Sequence, residues 1–252
     1  MSPFGLPLEI YHAALIFLRV GSLIMLLPAI SDAAVPPRVR LAFALVLSLI
    51  LGAVANPYLP TAMPQSVGEM GGQVFKELFI GLGLGALLNF MMNALFVAGE
   101  IMSIQTTLAF SQTANPNEAQ PGATLATFLS VTAVALVFAT NLDHLFIGAI
   151  ARSYQLFPPM KPPAINDAAL VAVRAMSSSF ALGLQLAAPI VVFSIVFNIA
   201  SGLIGRLMPQ FQIFFAVTPL TVLLGLSILA LSIGMIGMVW LQRYESFLGQ
   251  FS

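Results

Sequence analysis

Between Ile10 and Leu241 the chain is a succession of apolar blocks with almost no charge inside them, and this pattern constrains the fold more than any other feature. The first block runs from about Ile10 to Ile30 and is followed by Ser31-Asp32 and Pro36-Pro37. The second, Leu41 to Ala55, ends at Asn56-Pro57; a Pro/Gly/Met-rich connection from Asn56 to Gly72 and the pair Lys76-Glu77 precede the third, Leu78 to Ala98. The fourth covers about Thr124 to Thr140, and the most polar part of the chain, Asn141 to Arg174, follows it. The fifth, about Phe180 to Ile204, is joined by the turn from Gly205-Arg206 to Pro209-Gln210 to the sixth, Phe211 to Leu241. A membrane helix needs about 20 apolar residues, so four blocks are long enough and the second and fourth are short. Strands in a bilayer would need a closed barrel and a two-residue alternation, which these blocks do not show. The expected fold is therefore all-α: polytopic membrane-type helical hairpins, about six hydrophobic helices.

Composition removes the alternatives. Of 252 residues 59% are hydrophobic and 7% are charged, with nine Lys+Arg against nine Asp+Glu. A soluble domain carries roughly a quarter charged residues, so a soluble globular fold is excluded, as is the low-hydrophobicity, high-charge signature of disorder. The balanced charge gives no basic field for nucleic acid. Without Cys there is no disulfide, thiolate-bound zinc or thiol nucleophile. The first dozen residues hold no Lys or Arg and the first block is long enough to span, so the N-terminus is expected to be a retained helix and not a cleavable signal. Counting Lys and Arg outside the blocks puts Arg38, Arg40 and Arg206 on one side and Lys76, Arg152, Lys161, Arg174 and Arg243 on the other. That weak bias favours the second side, with both termini, as cytoplasmic, and suggests that protein partners hold some helices.

A few residues stand out. Arg19 lies near the middle of the first block, where a lone cation facing lipid costs at least ~2.5 kcal/mol. It has two readings, an intersubunit or pore-lining contact and a structural pair with a carboxylate of another helix. Gly81 and Gly85 share one helix face and permit close helix approach. The stretch Gly99 to Ala123 has no Lys or Arg and mixes apolar and polar residues with Pro and Gly. Its readings are a re-entrant or pore-occupying segment, or an extramembrane loop with a short amphipathic helix. Asp143-His144 invites a proton-relay reading, but adjacent helical residues diverge by about 100°, which favours a polar end to the fourth block. No metalloprotease, nucleophile-elbow or P-loop motif occurs, and two His with no Cys leave little acid–base material for an enzyme. No cofactor or metal site is expected.

The order of these stretches resembles the FliR family, the flagellar members of a group that includes the SctT/SpaR proteins of injectisomes. The resemblance rests on Arg19 with Pro36-Pro37-Arg38-Val39-Arg40-Leu41, on Gly81-Leu82-Gly83-Leu84-Gly85, and on Ala98-Gly99-Glu100-Ile101 with Gln105, Leu108-Ala109-Phe110 and Asn115-Pro116. Its most specific part is Asn198 to Gln210, continuing to Ile213-Phe214. Thr107 and Ala109 stand where the family usually has Gly and Ser, Asn115 where it has Asp, and Leu142-Asp143-His144 where Asn-Gly-His is common. Thr221 after Pro219-Leu220, where injectisome relatives tend to carry Lys, favours the flagellar branch.

The resemblance implies a core subunit of the flagellar type III export gate, in the bacterial inner membrane at the flagellar basal body. Expected partners are FliP-like and FliQ-like subunits, an FlhB-like protein and the exported flagellar subunits. It further implies a FliP-like helical part over residues 1–175, with a plug loop at about 99–123, and a FliQ-like hairpin over 176–252. Gly99, Glu100, Gln105, Leu108, Phe110, Asn115 and Pro116 would belong to the pore or plug loop. Arg19, Gly81, Gly85, Arg206, Pro209 and Gln210 would make assembly contacts. The alternatives are an injectisome gate subunit of the same group, or a small-solute transporter or channel using Arg19 or Asp143-His144.

Overall fold

A computed structural model describes residues 7–27, 30–31, 35–108, 124–160, 165–208 and 213–249. All regular structure among them is helical: α1 Leu8–Leu26, α2 Pro37–Ala55, α3 Val67–Gln105, α4 Thr124–Ala139, α5 Asp143–Leu156, α6 Ile165–Leu207 and α7 Ile213–Leu248, with one 3-10 turn at Asn56–Tyr58. Five of these helices are long and apolar enough to cross a membrane, and the α4–α5 pair makes a sixth if read as one broken span. The all-α polytopic expectation holds.

The helix ends differ from the block ends for local reasons. Pro37 does not merely close the first block; it opens α2 at N1, where its fixed φ suits a helix and its missing N–H is not needed. α3 starts eleven residues before Leu78 because Ser66 and Glu69 form a capping arrangement. The Glu69 amide donates to Ser66 Oγ at 3.1 Å and the Gln65 amide donates to Glu69 Oε2 at 3.0 Å. At its other end α3 runs on through Gly99 and Glu100 to Gln105, so the opening residues of the central segment are helical and not loop. The polar stretch after the fourth block contains α5, set off by Asn141 in the left-handed region at φ 56°, which Asn tolerates better than most residues. One consequence touches orientation. Lys76, Arg152, Arg174 and Arg243, counted above as lying outside the blocks, are all within helices.

The chain forms two compact units. The first comprises Met1–Met91, Thr140–Met176 and Glu245–Ser252, and the second Met92–Ala139 and Ser177–Tyr244. In the first, α1 packs on α2 and on the early part of α3, with Leu15, Val20, Leu23 and Ile24 of α1 buried. A Cβ added at Gly81 would collide with the Arg19 carbonyl and Ser22 Oγ, and one at Gly85 would sit 2.9 Å from the Leu23 carbonyl and from Leu26 Cβ. The two glycines therefore let α1 and α3 touch backbone to backbone, while Gly83 between them meets nothing. In the second unit, Gly99 faces the backbone of Leu125 and Ala126 on α4, and Gly183 of α6 faces the Ala94 carbonyl at 2.9 Å. Both contacts are of the same kind.

Three helices exceed what a bilayer requires. α3, α6 and α7 have 39, 43 and 36 residues, about 58, 65 and 54 Å at 1.5 Å per residue, against a hydrocarbon core of about 30 Å. Pro189 and Pro219 lie inside α6 and α7.

The glycine geometry makes a paired prediction. Gly81→Ala forces α1 and α3 apart and should destabilise the protein by about 1–3 kcal/mol, whereas Gly83→Ala should be neutral or slightly stabilising. Membrane levels of the two variants and their thermal midpoints in detergent check this; equal behaviour would remove the close-packing account.

Candidate functional site

Arg19 has no exposed surface, and neither in effect does Glu77, at 1%. α1 brings the first and α3 the second, and the close approach allowed by Gly81 sets them opposite each other. Arg19 Nε donates to Glu77 Oε2 at 2.6 Å and Nη2 donates to Oε1 at 2.9 Å, a two-pronged charge-assisted pair. Nη2 also donates to the Phe157 carbonyl at 2.8 Å, and Nη1 to Ser153 Oγ at 3.3 Å. The guanidinium carbon lies 4.1 Å from the centre of the Tyr154 ring, whose face is negative. Beside it, Lys76 Nζ donates to the carbonyls of Pro158 and Pro159 at 3.1 and 2.7 Å. Tyr11 Oη donates to Gln73 Oε1 at 2.5 Å. α1, α3 and the end of α5 are thus tied by one polar cluster in the first unit.

Of the two readings of Arg19, the structure shows the structural pair. A guanidinium enclosed by Glu77, Ser153, Phe157 and Tyr154 leaves no face for a passing solute or a neighbouring subunit. Gly81 and Gly85, expected as assembly contacts, likewise face α1 of their own chain. The physical reason is common to all three: an intramembrane cation needs a nearby counter-charge, and small residues supply the approach. Sequence reading did not single out Glu77, although it is the carboxylate at the edge of the third block; Tyr154 and Ser153 fell in Asn141 to Arg174, read only as the most polar part of the chain.

A second polar group closes the end of α3 in the second unit. Ser194 Oγ of α6 donates to Gln105 Oε1 at 2.8 Å, and Asn198 Nδ2 donates to Ser194 Oγ at 3.2 Å. The next residue, Thr106, is buried and packs its methyl against Gly225 of α7. Thr107 follows in the left-handed region at φ 60°. A β-branched residue is strained there by about 1–2 kcal/mol. Gly99 is buried against α4, and Glu100 and Leu108 are half-buried. Phe110, Asn115 and Pro116 lie outside the described residues, as do Pro209 and Gln210. Arg206 is exposed in the last turn of α6, where a cation complements the helix dipole. His144 is exposed with Nδ1 3.3 Å from the Asn141 carbonyl. Among the described residues no group of three His, Asp or Glu is placed to hold a metal ion.

Comparison with known proteins adds the following. A family model described as "Bacterial export proteins, family 1" matches residues 10–247. The chain is 50% identical to the flagellar biosynthetic protein FliR of Caulobacter vibrioides over 253 aligned residues, covering 100% of both. It is 31% identical to FliR of Escherichia coli, over 84% of this chain and 80% of that one. With FliR of Pectobacterium carotovorum it shares 30% identity over 87% and 83%.

The polar cluster predicts an asymmetry between single and double variants. Glu77→Gln leaves a buried guanidinium without its counter-charge and should destabilise by about 3–5 kcal/mol. The double variant Arg19→Leu with Glu77→Leu has no charge to strand and should recover most of that loss. Thermal unfolding of the purified protein reads both, and a Glu77→Gln variant as stable as the parent would overturn the assignment.

Proposed function

The chain belongs to the FliR family of bacterial export proteins, and on that footing we propose that it is a non-enzymatic core subunit of the flagellar type III export gate in the bacterial inner membrane. The observation that carries this reading is the likeness to flagellar FliR proteins along the whole chain. In the proposed assembly it joins FliP-like and FliQ-like subunits and an FlhB-like protein around a pore through which unfolded flagellar subunits leave the cytoplasm. Residues 1–175 act as a FliP-like part and 176–252 as a FliQ-like hairpin.

Surface distribution supports a chain made for assembly. Only 17% of the most apolar stretch of α7 is buried. On α6, Val192, Ile195, Val196, Ile199 and Leu203 form an exposed stripe at helical spacing. Helices of about 54–65 Å carry such surface beyond the length a single bilayer covers, so other protein helices are the natural cover. Arg206, with Pro209 and Gln210, is the proposed contact at the α6–α7 turn. Arg19, Gly81 and Gly85 serve assembly indirectly by fixing the shape of the first unit.

Gating is proposed to be steric. Gly99, Glu100 and Gln105 set the root of the plug segment, Leu108 and Phe110 supply its apolar surface, and Asn115-Pro116 fixes its turn. Docking of Gln105 on Ser194 and the tight seat of Thr106 on Gly225 give that root a firm base.

Two outcomes are expected in cells. Deleting the gene abolishes hooks and filaments while growth continues, seen by electron microscopy and growth curves; a deletant that builds filaments would sink the gate role. Shortening the chain between Gln105 and Ala119 makes the membrane leak small solutes or alters substrate release. Unchanged conductance and secretion in that variant would remove the plug role while leaving the subunit role intact.

A further inference from the structure

The end of α3 holds a conformation that its residues do not favour. Thr107, two residues past the Gln105–Ser194 contact, has φ 60°, a region that a β-branched residue seldom enters. Its amide donates to the Ile104 carbonyl at 3.3 Å, closing a turn tighter than the helix before it. Its hydroxyl oxygen is buried without a hydrogen-bond partner, and so is Ser103 Oγ one turn earlier. Two costs therefore meet at Thr107, a backbone in a disfavoured region and a polar atom taken out of water unpaired. Strain of this kind persists only where other contacts offset it, and it gathers at elements that change shape.

One movement relieves both costs. With Thr107 in the right-handed region, its amide passes to the Ser103 carbonyl. Its hydroxyl then comes within reach of the carbonyls three and four residues back, a bond that threonine makes inside helices. The Ile104 carbonyl is released to the Leu108 amide, so the backbone loses no hydrogen bond.

α6 offers a path for the lengthened helix. Gly183 packs on the Ala94 carbonyl and Ser194 donates to Gln105, and each pair is 89 residues apart, so α3 and α6 run in the same direction in constant register. α3 stops at Gln105, whereas α6 continues to Leu207. In that register Leu108 comes level with Phe197, which is half-buried and lies against Phe193 with ring centres 5.4 Å apart. Just beyond, Asn198 is exposed and a Cβ added at Gly202 meets nothing, so this surface of α6 is open.

We propose that Thr107 is a two-state helix break. Left-handed, it ends α3 at Gln105; right-handed, it lengthens α3 through Leu108 along α6 and changes the direction in which the chain leaves the helix. The right-handed form is the minor one, at about a tenth of the molecules. The proposal concerns α3 and α6 alone, so it stands or falls apart from the export-gate reading.

The sequence supplies a way to test it, because Thr106-Thr107 is the one place where two threonines adjoin. With isotope-labelled threonine in an otherwise unlabelled chain, only the Thr107 nitrogen is bonded to a labelled carbonyl. Solid-state NMR of the full chain in bilayers then reads the H–N–Cα–H torsion of that single residue. Two signals are expected, a major one at positive φ and one of about a tenth its intensity at negative φ. Phe197→Ala removes the contact that awaits Leu108 and should lower the minor signal severalfold. A single signal, at either sign of φ, would overturn the two-state break. A minor signal unchanged in Phe197→Ala would overturn the path along α6.

Discussion

Arg19 cannot stand alone in an apolar interior, and much of the first unit is arranged around that fact. Its charge is met by Glu77 from α3, two of its three remaining N–H groups by Ser153 and the Phe157 carbonyl, and its flat face by the Tyr154 ring. A buried ion pair of this kind is weak evidence of net stability, because desolvating both charges offsets most of the attraction. What it does supply is register. Three helical segments must be in one relative position for these four bonds to form together, and any slip strands a charge.

That register depends in turn on how closely the helices come together. Between apolar helices in lipid there is little hydrophobic gain, so contact rests on van der Waals packing and hydrogen bonds. Gly81 and Gly85 remove the side chains that would hold α3 away from α1, and the Arg19 carbonyl fills the space at Gly81. The residue that binds Glu77 through its side chain thus packs on α3 through its backbone. Neither contact is available without the other, and this coupling explains why the charged and the small residues occur together.

Sequence reading found the helices because apolar blocks bounded by Pro, Asn and Gly report burial directly. It found Gly81 and Gly85 because their spacing has a simple geometric meaning, and it framed the correct alternative for Arg19. It missed what depends on pairing across the chain. Glu77 looks like a block edge until α1 lies beside it, and Ser194 looks like any helical serine until Gln105 meets it. The ends of α3 were misplaced for a different reason: the Ser66–Glu69 cap is written in polar residues, outside the hydropathy signal. Thr107 shows the remaining gap, since its left-handed conformation is not the preference of threonine and could not be read from the residue itself.

The charges also explain why loop counting gives so little orientation here. Lys76 is held by two proline carbonyls and Arg19 by Glu77, so neither is free to act as a topological signal at a lipid headgroup. A chain with nine basic residues that commits some of them to internal contacts has few left to read. The apolar faces of α6 and α7 show the complementary property: they are unburied over lengths greater than one bilayer. Lipid can cover part of such a helix, but its polar surroundings cannot cover the rest without the hydrophobic cost that burial normally removes. Internal charge pairing and external apolar excess are therefore two sides of one design, in which the chain pairs its buried Arg19 and Glu77 by itself and leaves its apolar surface for others.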